Sequence, residues 1–473
     1  MRPSKIPCAV AAVTTLALLI GALPAGAVVN DAAAVKSFLQ ENLDLEKQPE
    51  VGVIVGFVDE HESWIVSRGK VRGRDMDGDT VFEIGSITKT FTALLLMDMV
   101  ERGEMKLEDP VAKYLPASVT VPSRGGKEIT LLNLAVQDSG LPFNADNYVG
   151  IDTEEQFEGY TSKLMYAYLC GHKLAATPGE KFQYSNIGMA VLGHVMERHS
   201  GKRLDALFTQ RICAPLEMNS TRIVLTPDLQ QRFAPGHEKD QPAASWELTD
   251  FAGAGGLRST ANDLLKYVRA QIGLTPSPLN KLMKKTHEIR HRGDPDMGDT
   301  AMPWMNDSIV QPPGSLILEH GGGTGGYSAY VGFDLKQRRG YVVLANQAGV
   351  FSSRALGNRL IQDAPLTGQK LATIMPIKEM VGIGAALDVG PTSKLVRIYQ
   401  IIDNSPASRA CVSPGTLIET IDGVSTAGKT ALQCANLIRG QRGTTVRLEL
   451  NDPKDHQSKA VELTRGTFRV GEG

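Results

Sequence analysis

Cysteine is scarce in this chain, with five in 473 residues. So few cannot staple a scaffold of this length, which excludes a disulfide framework as the source of the fold. Neither sign of charge is in excess: 50 Lys and Arg stand against 52 Asp and Glu. With no basic run either, a nucleic-acid partner is not expected. Beyond the N-terminus no apolar run is long enough to span a membrane. Internal repeats and low-complexity tracts are lacking. So is Gly-x-Ser-x-Gly, which counts against an α/β-hydrolase.

The one long apolar run is N-terminal. Arg2 and Lys5 precede Ala9 to Leu23, and Ala25-Gly26-Ala27 is a small-x-small cleavage signal. Residues 1–27 therefore read as a secretory signal peptide, with a mature chain beginning near Val28 and a secreted or periplasmic location. An uncleaved anchor is the alternative, and membrane contact is expected only in that case. Setting aside Cys8, the cysteines are Cys170, Cys213, Cys411 and Cys434. They allow two disulfides, most economically Cys170 with Cys213 and Cys411 with Cys434, while free thiols fit equally well.

The chemistry is concentrated in Phe82 to Gly103. Ser86-Ile87-Thr88-Lys89 places a hydroxyl and an amine three residues apart, on one face if the turn is helical. Phe91, Leu94, Leu95, Leu96, Met97, Met99 and Val100 surround the helix with apolar groups, which predicts burial. Desolvation lowers a lysine's pKa and lets it act as a base towards serine. Backbone N–H groups at the helix start point to where oxyanion charge would develop. Gly103 ends the helix.

The rest of the chain supplies a frame. A short helix over Asp31 to Leu43 precedes two β-rich runs, Val51 to Val58 and Ser63 to Arg68, joined by the polar turn Asp59 to Glu62. A second hairpin spans Ser328 to Asp334 and Gly340 to Asn346. Helical patterns lie between: Leu131 to Val136 capped by Thr130, Ile187 to His199 stopped at Gly201, and Thr260 to Ile272. The expectation is an α/β (α+β) domain over 28–362, with an antiparallel sheet flanked by helices, an all-helical lobe, and chain ends that pair. A linker over 363–378 leads to a small β-rich module over 379–469.

Three further stretches narrow the function. Tyr184-Ser185-Asn186 follows Pro178-Gly179-Glu180 in a loop before a helix. Ala254-Gly255-Gly256-Leu257 enters another helix. His320-Gly321-Gly322-Gly323 follows the strand Leu316 to Glu319 and precedes another. With Ser86 and Lys89 these motifs stand in the order of the serine β-lactamase and penicillin-binding protein superfamily, and residues 50 to 350 resemble its class C and DD-peptidase branch. Related class A enzymes use Ser-x-x-Lys, Ser-Asp-Asn and Lys-Thr-Gly; here Tyr-Ser-Asn and His-Gly-Gly replace the last two.

That resemblance implies an exported serine hydrolase in which Ser86 forms an acyl-enzyme with an amide or ester substrate: a D-amino-acid peptide, an ester or a β-lactam. Lys89 would hold or accept the proton and Tyr184 would relay it, as a base only if a cation such as Lys89 favours the phenolate. Asn186 would bind the acyl amide. His320, Gly321, Gly322 and Gly323 would line the substrate site, with the N–H groups of Ser86 and Gly323 as oxyanion hole. No metal or organic cofactor is implied. His320 replaces the lysine of class C β-lactamases. A histidine titrates near ~6.5, so carboxylate recognition should weaken and peptides or esters should be favoured over β-lactams.

Residues 379–469 resemble a PDZ domain, through Gly382-Ile383-Gly384, Ser405-Pro406-Ala407, Ile421-Asp422-Gly423 and Leu437-Ile438-Arg439-Gly440. A peptide ligand on a sheet edge is implied.

Rival motifs remain. Gly423 to Thr430 matches a phosphate loop, but too little chain follows for the rest of such a fold. The glycines of 321–326 fit Gly-x-Gly-x-x-Gly, but no helix follows. His287-Glu288-Ile289-Arg290-His291 matches a zinc-protease helix, so a zinc metalloprotease using His287 and His291 is the alternative enzyme. A non-catalytic peptide- or penicillin-binding receptor is the third reading.

Overall fold

A computed structural model describes residues 30–43, 50–147, 159–238, 241–294, 298–306, 315–349, 352–366, 378–389, 395–401, 405–410, 412–413, 415–429, 431–440, 442–452 and 457–470. The leader 1–27, Cys8, Cys411 and most of the expected linker lie outside the described residues.

The expected first helix is present as α1, Ala32–Asn42, capped by the Asp31 side chain on Ala34 N. The first hairpin is β1, Val53–Val58, and β2, Ser63–Arg68. β1 pairs on its other side with the strand Arg339–Ala345, Val53 facing Ala345, so the two ends of this region close one sheet. The eight strands run, in spatial order, His291–Asp294, Gly298–Thr300, Met305–Asn306, Ile317–Gly323, Ser328–Asp334, Arg339–Ala345, β1 and β2, every neighbouring pair antiparallel.

β1 is apolar at almost every position because both of its faces are covered. Val53, Val55 and Phe57 pack with α1 and the helix Ser353–Ile361, whereas Ile54 and Val58 join the larger core with Leu264 and Val268 of the helix Ala261–Gln271.

The larger core holds α2, Thr88–Glu101, whose residues from Thr88 to Met99 are all buried. Around it stand α3, Leu131–Ala135, with a capping box between Thr130 and Asn133; α4, Ser162–Gly171; and α5, Asn186–Ser200, capped by Ser185 and closed by Gly201 at φ 68°.

The C-terminal region is β-rich with its own core, including Ile383, Val396, Ile398, Ile418, Cys434, Val446 and Leu448. Strands Ala385–Val389, Val396–Ile401, Leu417–Ile421, Thr445–Asp452 and Gln457–Thr464 follow one another across its sheet. Two helices, Pro406–Arg409 and Ala431–Ile438, accompany them.

Of the two cysteine readings, free thiols hold for Cys170, Cys213 and Cys434: Cys170 sits exposed beside Thr120 N while Cys213 is buried elsewhere. His320 to Gly323 lie within the strand Ile317–Gly323 rather than after it, held in register from Ile317↔Asp334 to Gly323↔Ser328. The zinc helix does not exist. A helix Asn280–Thr286 stops at His287, and His291 begins a strand. His287 Nε2 lies 2.7 Å from Gln271 Oε1, while His291 Nε2 lies 3.2 Å from Asp138 Oδ2, so the two imidazoles serve different contacts.

Candidate active site

Ser86 lies in a one-turn 3₁₀ helix, Gly85–Ile87, that runs into α2. The turn is pressed against the strand Ile317–Gly323. Gly85 adopts φ 48°, and a Cβ there would lie 2.7 Å from Gly323 N. A Cβ on Gly322 would lie 2.0 Å from Ile84 O and 3.3 Å from Ser86 N. Glycine is thus required on both sides of the contact that carries Ser86 and Gly323 to one place.

The tight turn brings Lys89 Nζ to 2.9 Å from Ser86 Oγ, and Nζ donates to Ala254 O at 2.7 Å. Ala254 belongs to the helix Ala252–Gly255, inside the glycine-rich stretch singled out above. Lys89 is 0% exposed, and burial alone holds its amine well below the ordinary lysine range. Tyr184 lines the same cavity as Ser86, and the Lys89 nitrogen stands 4.9 Å from the centre of its ring. Burial raises the Tyr184 pKa, outweighing the Ser86 hydroxyl and the Arg354 charge, which lower it. Burial thus pushes the amine down and the phenol up, each towards its neutral form.

His320 is also buried, and its pKa is pushed down to about 3, by desolvation first and then by the Lys89 and Arg354 charges. Its Nδ1 is 2.7 Å from Gly321 O. It does not titrate near neutrality as an exposed histidine would. Arg354, from the helix Ser353–Ile361, pairs with the buried Glu319 through Nε at 2.9 Å.

Two cavities meet at Ser86. One, about 440 Å³, is lined by Tyr184, His320, Gly321, Gly322, Met305 and Arg354 among others. The second, about 160 Å³, is bounded by Asn144, Asn186, Trp246, Leu248, Phe251 and Ala254. Ser86, Phe143 and Gly323 border both. Ser86, Tyr184, Asn186 and His320 to Gly323 thus line these two cavities, with Lys89 buried behind Ser86. Asn186 Nδ2 donates to Asn144 Oδ1 at 3.0 Å, and Phe143, 57% exposed, stacks on Tyr184.

Sequence reasoning missed Asn144, Trp246, Phe251, Arg354 and Glu319, which lie in no motif. It also missed Glu83, three residues before the serine. Glu83 Oε1 accepts from Ser245 Oγ at 2.5 Å and Trp246 N at 2.9 Å, pinning the wall of the smaller cavity. Arg258, buried beside it, donates to Ser245, Trp246 and Glu247 in the same wall. No helix among the described residues is long and apolar enough to cross a membrane.

Comparison with known proteins agrees with this geometry. A D-alanyl-D-alanine-carboxypeptidase/endopeptidase, AmpH of Escherichia coli K12, is 32% identical over 191 residues, 40% of this chain and 49% of that protein. The chain thus spans about half the length of that relative. A β-lactamase of Pseudomonas fluorescens is 28% identical over 302 residues, covering 57% of this chain and 80% of the relative. Among solved structures, a D-alanine carboxypeptidase of Burkholderia cenocepacia superposes with TM-score 0.58 at 25% identity, covering 70% of this chain and 99% of that one. A β-lactamase/D-alanine carboxypeptidase of Yersinia pestis shares the fold, with TM-score 0.60 at 23% identity over 71% of this chain and 99% of that one. The β-lactamase family profile matches residues 40–366, well over half of the chain, and the protein belongs to the β-lactamase family.

Proposed function

We propose that the protein is an exported serine hydrolase that acylates Ser86 with an amide or ester substrate and then hydrolyses the acyl-enzyme. The observation that carries this reading is the fully buried Lys89 amine, 2.9 Å from a partly exposed serine hydroxyl. Nζ donates to Ala254 O, and as a neutral amine it has a lone pair that can take the Ser86 proton. In attack, Ser86 Oγ bonds to the substrate carbonyl carbon and its proton passes to Lys89. The carbonyl oxygen takes the negative charge against the N–H groups of Ser86 and Gly323. Tyr184 gives its proton to the leaving nitrogen or oxygen and recovers one from the Lys89 ammonium. Water then cleaves the acyl-enzyme by the same route in reverse.

Charge on the leaving-group side favours neutral leaving groups. Arg354 is balanced by Glu319, and His320 carries no charge at neutral pH. A free carboxylate finds no uncompensated cation in that pair, so esters and internal peptide bonds are better substrates than β-lactams. Asn186 and the apolar wall of Trp246, Leu248 and Phe251 would take the acyl portion.

The N-terminal leader would direct export and leave the chain in a secreted or periplasmic location. The C-terminal region would act as a PDZ-like peptide binder: Ala385–Val389 is an edge strand with Ala431–Ile438 packed beside it, and an extended peptide would add to that edge.

The test is a panel of nitrocefin, p-nitrophenyl esters, D-aminoacyl anilides and D-Ala-D-Ala peptides, with the acyl-enzyme read by mass on Ser86. Turnover of esters or anilides with mass added at Ser86, lost in Ser86→Ala, is expected. Activity that survives Ser86→Ala would end the serine assignment, and efficient nitrocefin hydrolysis would end the substrate preference.

A further inference from the structure

Leu248 separates the smaller catalytic cavity from a larger one of about 650 Å³, whose lining includes Glu197, Arg203, Asp205 and Glu247. At the Glu197 side of this second cavity three donors converge. His194 and Glu197 lie three residues apart on α5, and Asp250 comes from the loop just before the helix Ala252–Gly255. A ring nitrogen of His194 and one carboxylate oxygen from each acid all lie within 4.8 Å of one another.

His194 is 8% exposed. Its Nε2 is 2.7 Å from the Tyr166 hydroxyl of α4, and its Nδ1 is buried with no partner. A buried ring nitrogen without a partner needs an explanation. If Nε2 carries the proton and donates to Tyr166, Nδ1 is left as a lone pair, the arrangement a metal-binding imidazole needs. Each acid is oriented by a backbone donor: Glu197 Oε1 accepts from Leu204 N at 2.6 Å, and Asp250 Oδ2 accepts from Ser162 N. One oxygen of each remains for another ligand.

We propose that His194, Glu197 and Asp250 form a structural site for a divalent transition-metal ion, with zinc the best match. One imidazole and two carboxylates suit zinc or its neighbours better than calcium or magnesium, which take all-oxygen shells. Zinc bonds of ~2.0–2.2 Å place donors about 3.4 Å apart in a tetrahedron, so the cluster contracts on binding. Arg203 now occupies the mouth, its Nε 3.4 Å from Glu197 and its Nη1 3.9 Å from Asp250. At 69% exposure its side chain is free to swing out into water. The ion ties α5, which begins at Asn186, to the segment leading into Ala254, whose carbonyl holds Lys89.

The test uses the full chain, stripped with a chelator and titrated with Zn²⁺ by calorimetry, with the melting temperature and the Co²⁺ absorption spectrum as second readouts. One equivalent of Zn²⁺ should bind and raise the melting temperature. Glu197→Gln and Asp250→Asn should each weaken binding by about tenfold or more, and Arg203→Ala should tighten it by removing the competing cation. The last variant keeps the test open should the acid variants fold poorly. The site is refuted if the parent chain binds no Zn²⁺, if the acid variants bind it as the parent does, or if Arg203→Ala gives no gain.

Discussion

An ammonium group shut away from water with no carboxylate against it is costly, and among the described residues Lys89 is in that position: the cause of its lowered pKa is desolvation. Each unit of depression costs about 1.4 kcal/mol of stability. The unfolded chain binds a proton there that the folded chain refuses, so stability rises with pH up to the ordinary lysine value near ~10.4. Lys89→Met should therefore abolish acylation yet melt higher than the parent at neutral pH, with the gap closing as pH approaches that value. Denaturant midpoints across pH check this; a variant less stable at neutral pH contradicts it. The same group sets the acid side of the rate profile. Activity falls as pH drops through the Lys89 pKa, while His320, already neutral above about 3, contributes nothing there. His320→Gln should lower kcat/KM but leave its acid limb in place; a limb that moves would make His320 the titrating group.

At the scale of elements, catalysis depends on how closely a strand approaches a helical turn. Gly322→Ala drives a methyl to 2.0 Å from Ile84 O, and backbone cannot yield as a side chain does. Loss of alignment at the oxyanion site should cost about 10²-fold in acylation rate. At Gly321 the new methyl meets only the flexible Arg354 side chain, at 3.0 Å, so Gly321→Ala should keep most activity. Stopped-flow acylation of the two variants, with a melt to verify folding, separates them. The elements themselves were largely legible: two β-rich runs on either side of a polar turn located β1 and β2, and Thr130 and Gly201 mark helix ends by a cap and a left-handed stop. The run His320 to Gly323 was not, because glycine usually weakens a strand; pairing with Ser328 to Val331 holds it there. His287 and His291 misled for a related reason. A five-residue pattern carries no information about where a helix stops. The pocket walls were illegible too, since Trp246, Phe251 and Arg354 come from separate segments and meet Ser86 only through the tertiary fold.

For the molecule as a whole, the cohesion is apolar rather than covalent. With Cys170, Cys213 and Cys434 unpaired, a thiol reductant should leave the melting temperature unchanged, and a clear drop would reveal a bridge. The sheet places a different demand on the chain. Val53 pairs with Ala345, so the first strand to be synthesised must wait for the last strand of its sheet. Meanwhile its hydrogen-bonding edge and both apolar faces are open to any other nascent copy. Loop closure over that span is slow compared with local helix formation. Yield on refolding should then fall steeply with protein concentration, and an added peptide copying Arg339–Ala345 would compete for that waiting edge before the native partner arrives.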